Sequence, residues 1–92
     1  MKYLITGITG TLGQEVSRQL LADPGNVVIG ISRDEFKQQL TPKHNRLTLL
    51  IADIRDGPRI SDIVWTYKPD LIFHFAALKH VVARSELGQV RA

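Results

Sequence analysis

The 92 residues carry a formal net charge of +3, with 43% hydrophobic and 23% charged side chains and no cysteine. That length holds one domain or less, the composition is that of a globular protein, and the missing thiols exclude a disulfide framework or a thiolate metal site. No apolar stretch approaches the roughly 20 residues that cross a bilayer, and Met1-Lys2 leads straight into an apolar run, so no signal peptide or membrane partner is read and a cytoplasmic protein is expected.

The twelve Lys and Arg are scattered one at a time, with no aromatic interleaving. Nucleic acid is therefore not an expected partner, and the basic balance suits a domain that holds a phosphorylated ligand.

Lys2 to Thr6 reads as a first strand, nearly all apolar as in a parallel strand covered on both faces. Gly7-Ile8-Thr9-Gly10-Thr11-Leu12-Gly13 follows it and opens a helical pattern. In that arrangement Gly7 turns the chain off the strand and Gly10 admits close approach of a pyrophosphate. Gly13 lets the helix lie tight on the strand, and free N–H groups at the helix start face the phosphates. The spacing is G-x-x-G-x-x-G rather than G-x-G-x-x-G, and Gln14 stands where a Walker loop has Lys. A ligand-free tight turn collects the same glycines, so the pattern gains weight from its strand–turn–helix setting.

Thr11 to Ala22 reads as the first helix, with Leu12, Val16, Leu20 and Leu21 at helical spacing. Asp23-Pro24-Gly25-Asn26 stops it, and Val27 to Ile31 is a second strand. Ser32-Arg33-Asp34-Glu35 then falls where a dinucleotide fold meets the adenosine ribose. A carboxylate there would take the 2′-hydroxyl of NAD, whereas the hydroxyl of Ser32 beside the guanidinium of Arg33 suits a 2′-phosphate, favouring NADP over NAD. Asp34 can instead turn to the ribose, and Ser32 or Asp34 can simply cap the short helix Glu35 to Leu40.

Thr41 to Arg46 is a polar loop with a solvated His44, and Leu47 to Ala52 a third strand. Asp53 and Ile54 follow it on the ligand side of a doubly wound sheet, facing adenine, although Asp53 or Asp56 serves equally as cap of a helix at Arg59 to Lys68. That helix offers Ile60, Ile63 and Val64 to the core, with Trp65 or Tyr67 beside them. Leu71 to Phe75 is a fourth strand in which His74 reads as a hydrogen-bonded core residue. Ala76 and Ala77 then leave room for a ligand against the backbone, while Lys79 and His80 read as exposed on spacing alone. Strands alternating with helices predict an α/β fold: the N-terminal part of a Rossmann fold, a four-stranded parallel sheet of order 3-2-1-4 with flanking helices.

These stretches resemble the extended short-chain dehydrogenase/reductase family, and within it the nucleotide-sugar 4,6-dehydratases acting on UDP-N-acetylglucosamine in polysaccharide and pseudaminic-acid biosynthesis. The glycine loop is shared by the superfamily. More specific are Ser32-Arg33-Asp34-Glu35-Phe36-Lys37-Gln38, Asp53-Ile54-Arg55-Asp56 and His74-Phe75-Ala76-Ala77-Leu78-Lys79-His80-Val81. The resemblance implies NADP bound by Gly7, Thr9, Gly10, Thr11, Leu12 and Gly13 at the pyrophosphate, and by Ser32, Arg33 and Lys37 at the adenosine phosphate. Asp53 and Ile54 would meet adenine, and Ala76, Ala77 and Lys79 would lie near the nicotinamide ribose. In such enzymes the cofactor takes hydride from sugar C4, water leaves across C5 and C6, and hydride returns to C6.

The sequence departs from that pattern in its lack of a Tyr-x-x-x-Lys pair, since Tyr3 precedes Gly7 and Tyr67 precedes Leu71 at that spacing. The segment from Val82 to Ala92 also drifts from the family's continuation. The expectation is a truncated NADP-binding Rossmann domain over residues 1–92, inactive alone, whose partners are the dinucleotide and a complementing C-terminal chain or homologous subunit. A UDP-sugar would join only in a complete enzyme. The rival readings are a stand-alone NADP-binding or interaction module, a fragment of a nucleotide-sugar epimerase, and a remnant whose open fourth-strand edge favours aggregation.

Overall fold

The computed structural model describes residues 1–76. Its elements are β1 (Lys2–Thr6), α1 (Thr11–Leu21), β2 (Val27–Ser32), α2 (Glu35–Leu40), β3 (Leu47–Ile51), α3 (Gly57–Tyr67) and β4 (Leu71–His74). All pairings are parallel and the order is β3-β2-β1-β4, the expected half of a doubly wound sheet. Chain direction across the sheet reverses between β1 and β4, so a crevice forms at the carboxyl end of β1.

Alternation along the strands fills two cores. Leu4, Ile29 and Ile31 join Ala52 and Ile63 on the face covered by α3. Ile5, Val28 and Ile8 are buried on the other face, with Val16, Leu20 and Leu21 of α1 packed over them. This is why β1 and β2 read as unbroken apolar runs: each face needs its own apolar residues.

Element ends differ from expectation for local reasons. β2 continues through Ser32, which pairs with Ile51 and accepts the Ala52 N–H at 3.0 Å. α3 starts at Gly57, earlier than expected, because the Asp56 carboxylate accepts the Arg59 N–H at 3.2 Å and Pro58 sits in the first turn. Of the two aromatic candidates on α3, Tyr67 packs on the core, whereas Trp65 is 76% exposed with the Lys68 ammonium over its ring. Leu12 also leaves the apolar face expected of α1 and stands half-exposed. His74 is exposed rather than buried, but it does hydrogen-bond, its Nδ1 lying 2.8 Å from Thr6 Oγ1.

On the outer face of α1, Glu15 accepts hydrogen bonds from Arg18 and Gln19. The Arg18 guanidinium first, then Gln19, holds this carboxyl at about 2 against an ordinary 4.5. The folded value lies below the unfolded one, so the contribution is complete above 4.5 and is lost as pH falls toward 2. A carbon-13 titration of the Glu15 carboxyl is expected to show a midpoint near 2, returning toward 4.5 in Arg18→Ala. An unshifted midpoint in the parent protein would show that the pair does not form in solution.

Candidate functional site

The turn between β1 and α1 is held from both sides. Gly7 and Ile8 donate their N–H groups to the Ile31 carbonyl at 2.9 and 3.1 Å, which ties the turn to β2. Gly7 has φ +75°, and a Cβ there would come 2.8 Å from the Ala76 nitrogen, so the position demands glycine on both counts. Phe75 N–H donates to Thr6 O at 3.2 Å and Ala76 N–H to Thr6 Oγ1 at 3.3 Å, fixing the end of β4 beside the turn. The Gln14 side chain reaches back to the Ile8 carbonyl at 2.8 Å. This Gln, standing where a Walker loop has Lys, braces the turn from within.

α1 begins with Gly10 as its cap, without a side-chain cap bond and with no acidic residue in its first turn. Its first backbone bond runs from Gln14 N–H to Gly10 O at 2.9 Å, which leaves the amides of Thr11, Leu12 and Gly13 ahead of the intrahelical ladder. Those donors, together with the helix dipole, make the turn an electropositive end that suits an anion.

At the end of β2, Ser32 is buried and its Oγ accepts from Gln38 Nε2 at 2.9 Å. Gln38 also donates to the Leu50 carbonyl at 2.9 Å, so it locks the ends of β2 and β3 together. Asp34 settles the choice of cap: its Oδ1 accepts the Lys37 N–H at 2.9 Å and starts α2. Arg33 extends outward, its Nη1 3.7 Å from Asp53 Oδ2. At the end of β3, Asp53 is not the cap of α3, a role that Asp56 holds. The Asp53 carboxylate instead accepts from the Arg55 guanidinium, with Nη2 2.7 Å from Oδ2. Arg55, ahead of Arg33, keeps that carboxyl well below the usual carboxylate range.

These pieces enclose one cavity of about 730 Å³ over the carboxyl ends of the strands, within the range of small-molecule sites. Gly7, Thr9 and Gly10 of the turn line it together with Thr11, Leu12 and Gly13 of α1. Ser32, Arg33 and Lys37 line its β2 end, Asp53 and Ile54 its β3 end, and Ala76 its β4 end. Every sequence-predicted site residue within the described part is thus brought to the same cavity, while Ala77 and Lys79 lie outside the described residues. Asp34, Glu35, Arg55 and Phe75 line it as well. Arg55 carried one signal, a carboxylate two residues earlier; Gln38 carried none, since a Gln in a short helix reads as solvent-facing. Among the described residues there is no group of acidic and imidazole side chains able to hold a metal, and no helix is long and apolar enough to cross a membrane.

Residues 3–87 match the family described as polysaccharide biosynthesis protein. The chain belongs to this family. It is 34% identical over 86 residues to dTDP-glucose 4,6-dehydratase of Salmonella typhimurium, covering 88% of this chain and 24% of that protein. A UDP-glucose 4-epimerase of Klebsiella pneumoniae is also 34% identical over 86 residues, covering 88% of this chain and 62% of that one. Among solved structures, the Bordetella bronchiseptica enzyme WbmH in complex with NAD+ superposes with a TM-score of 0.71 at 28% identity, covering 79% of this chain and 24% of that one. The chain therefore spans about a quarter of the Salmonella dehydratase and of WbmH. What it shares with these short-chain dehydrogenase/reductase proteins, sugar dehydratases and epimerases among them, is their N-terminal Rossmann part.

Proposed function

We propose that these residues bind NADP for a nucleotide-sugar 4,6-dehydratase that acts on a UDP-N-acetylglucosamine-like substrate in polysaccharide or pseudaminic-acid biosynthesis. The observation that carries the reading is the cavity at the sheet's reversal point. One wall is the uncapped, acid-free start of α1, and another carries the Arg33 and Lys37 side chains that follow β2. The group fits. The amides of Thr11, Leu12 and Gly13 would hold a pyrophosphate without a competing carboxylate in that helical turn, and Gly10 would allow its close approach. At the adenosine end the residue closing β2 is Ser32 rather than an acid, its Oγ accepting from Gln38 Nε2 and donating no hydrogen bond among the described residues. Arg33 and Lys37 stand nearby with positive charge for a 2′-phosphate, and Asp34 is turned into the cap of α2.

Bound there, the nicotinamide would supply hydride chemistry, and the chain's own part is to hold and orient it. Ala76, at the β4 end of the cavity, would lie beside the nicotinamide ribose, and the family resemblance assigns Ala77 and Lys79 to that same end of the cofactor. No Tyr in these 92 residues is followed four positions on by Lys, and the part we assign to them is cofactor binding. A C-terminal chain or homologous subunit carrying that pair would complete the enzyme. The equal identity to a dehydratase and an epimerase keeps a nucleotide-sugar epimerase as the second reading. Mixed with such a chain and a UDP-sugar, a 4-keto product marks the first reading and a C4 epimer the second.

The test of binding is a titration of the 92-residue chain with NADP and with NAD, followed by amide NMR. Shifts of Gly10, Gly13 and Arg33 with NADP are expected, with affinity about tenfold or more above that for NAD, since each charge-assisted bond contributes about 1.5–3 kcal/mol. A folded spectrum that neither nucleotide shifts would overturn the proposal.

A further inference from the structure

Arg55 is a third cation in the cavity, beside Arg33 and Lys37, and its guanidinium has Asp53 as its partner among the described residues. Its side chain is 71% exposed but held at several points. Asp53 Oδ1 accepts the Arg55 backbone N–H at 2.9 Å. The same carboxylate accepts the guanidinium on two sides, from Nε at 3.1 and 3.2 Å and from Nη2 at 2.7 Å. The oxygen that holds Nη2 is also the one 3.7 Å from Arg33 Nη1. Two guanidinium groups, one following β2 and one following β3, therefore converge on a single carboxylate oxygen at the wall of the cavity.

The Asp53 carboxylate between the two guanidinium groups is what holds these like charges close together. Asp53 neutralises one of the two, and its lowered carboxyl keeps it ionised through the working range. Lys37 adds a third positive charge to the lining, and Asp34 and Glu35 add two negative ones, so the formal charges balance and what the wall offers is unused donors. Arg55 uses Nε and one N–H of Nη2 on Asp53, which frees three of its five. Arg33 is too far from Asp53 for a hydrogen bond at 3.7 Å, and its guanidinium makes none among the described residues. A group that can accept several N–H donors from two neighbouring guanidinium groups is a phosphate dianion.

We infer that Arg55, held by Asp53, shares the adenosine 2′-phosphate with Arg33 and sets the preference of this site for NADP over NAD. The inference rests on the NADP reading above. Asp53 then acts chiefly as a positioning residue. With its carboxylate occupied by Arg55 on both oxygens, it has less to offer the amino group of adenine than its place after β3 implied, and Ile54 is left as the apolar contact for that ring.

The experiment measures dissociation constants of NADP and NAD for the parent chain and for Arg55→Gln, Arg55→Lys and Asp53→Asn. Competition by 2′,5′-ADP against 5′-ADP isolates the 2′-phosphate from the rest of the cofactor. Arg55→Gln is expected to weaken NADP and 2′,5′-ADP about tenfold, the scale of one charge-assisted contact, while NAD and 5′-ADP stay within about twofold. Arg55→Lys keeps the charge without the fork and should fall between. Asp53→Asn should lower the NADP preference too, and adding it to Arg55→Gln should cost little more, because both remove the same contact. A merely structural role would weaken all four ligands together. A parent chain that binds neither nucleotide overturns the NADP reading and this inference with it. A parent chain that prefers NADP, with the preference intact in Arg55→Gln, overturns this inference alone. The exposure of Arg55 means that its replacement opens no core, and the lysine variant provides a second reading should the glutamine variant be unstable.

Discussion

Gly13→Ala is expected to destabilise the protein by about 3 kcal/mol, at the upper end of what overpacking costs. A Cβ at position 13 would collide with the Gly7 carbonyl oxygen and stand 2.9 Å from Ile8 Cα and 3.1 Å from the Gly7 carbonyl carbon. All three are backbone atoms, so no rotamer change relieves the clash. Either α1 lifts away from the end of β1 or the turn shifts, and each breaks the seating of Gly7 and Ile8 on the Ile31 carbonyl. In so small a domain that is a large share of the total stability. Urea unfolding should show the midpoint falling by about 1 M or more. Gly10→Ala is the matched control. Its added Cβ meets only the Gly7 oxygen, at 3.5 Å, and its backbone is extended at φ −77°. Stability should hardly change there, whereas NADP binding should weaken if a pyrophosphate lies over that backbone. A Gly13→Ala protein as stable as its parent would show that the tight approach of α1 to the turn is not a constraint.

The sheet was legible because its signals are local and repeated. Covered parallel strands must be apolar on both faces, and Leu4-Ile5 and Val28-Ile29-Gly30-Ile31 say so residue by residue. The turns between them carry glycine, proline or a capping carboxylate, so a parallel sheet with right-handed crossovers could be read, and the order β3-β2-β1-β4 followed from taking it as a Rossmann unit. The glycine turn was legible for the same reason, since φ +75° at Gly7 leaves few other residues possible. The less legible parts depend on contacts distant in sequence. Arg46 reads as one more charge in a polar loop, yet its guanidinium donates to the carbonyls of Leu21, Asp23 and Asn26 at 2.7 to 2.9 Å and ties down the end of α1. Gln38 is buried between two strand ends although its type belongs at a surface. Helical spacing placed Leu12 and Trp65 near an apolar face, but Leu12 faces the cavity and Trp65 faces solvent with Lys68. Periodicity gives a face and not what covers it.

Gly30 makes the same point with the second large effect, because a glycine inside a β-branched run signals close approach without naming the neighbour. The neighbour is Ile8, fully buried, whose Cγ1, Cβ and Cδ1 would lie 2.5, 2.8 and 3.1 Å from a Cβ at position 30. The turn that lines the cavity is therefore seated by an isoleucine resting in the gap that Gly30 leaves in β2. Gly30→Ala fills the gap, and Ile8 is β-branched, with little freedom to step aside. The substitution is expected to cost about 2 kcal/mol and to weaken NADP, because Ile8 carries the backbone that leads into Thr9 and Gly10. Ile8→Ala alone removes the occupant and should cost about 2–5 kcal/mol. Combined, the two relieve each other: the alanine at position 30 enters part of the space that the isoleucine vacates. A urea double-mutant cycle should then give a favourable coupling of about 1–2 kcal/mol. Strictly additive losses would mean that Ile8 and Gly30 contribute separately and that the turn is held by its hydrogen bonds to Ile31 alone. A clear coupling, accompanied by partial recovery of NADP affinity in the double variant, would place the packing of β2 among the determinants of the cofactor site.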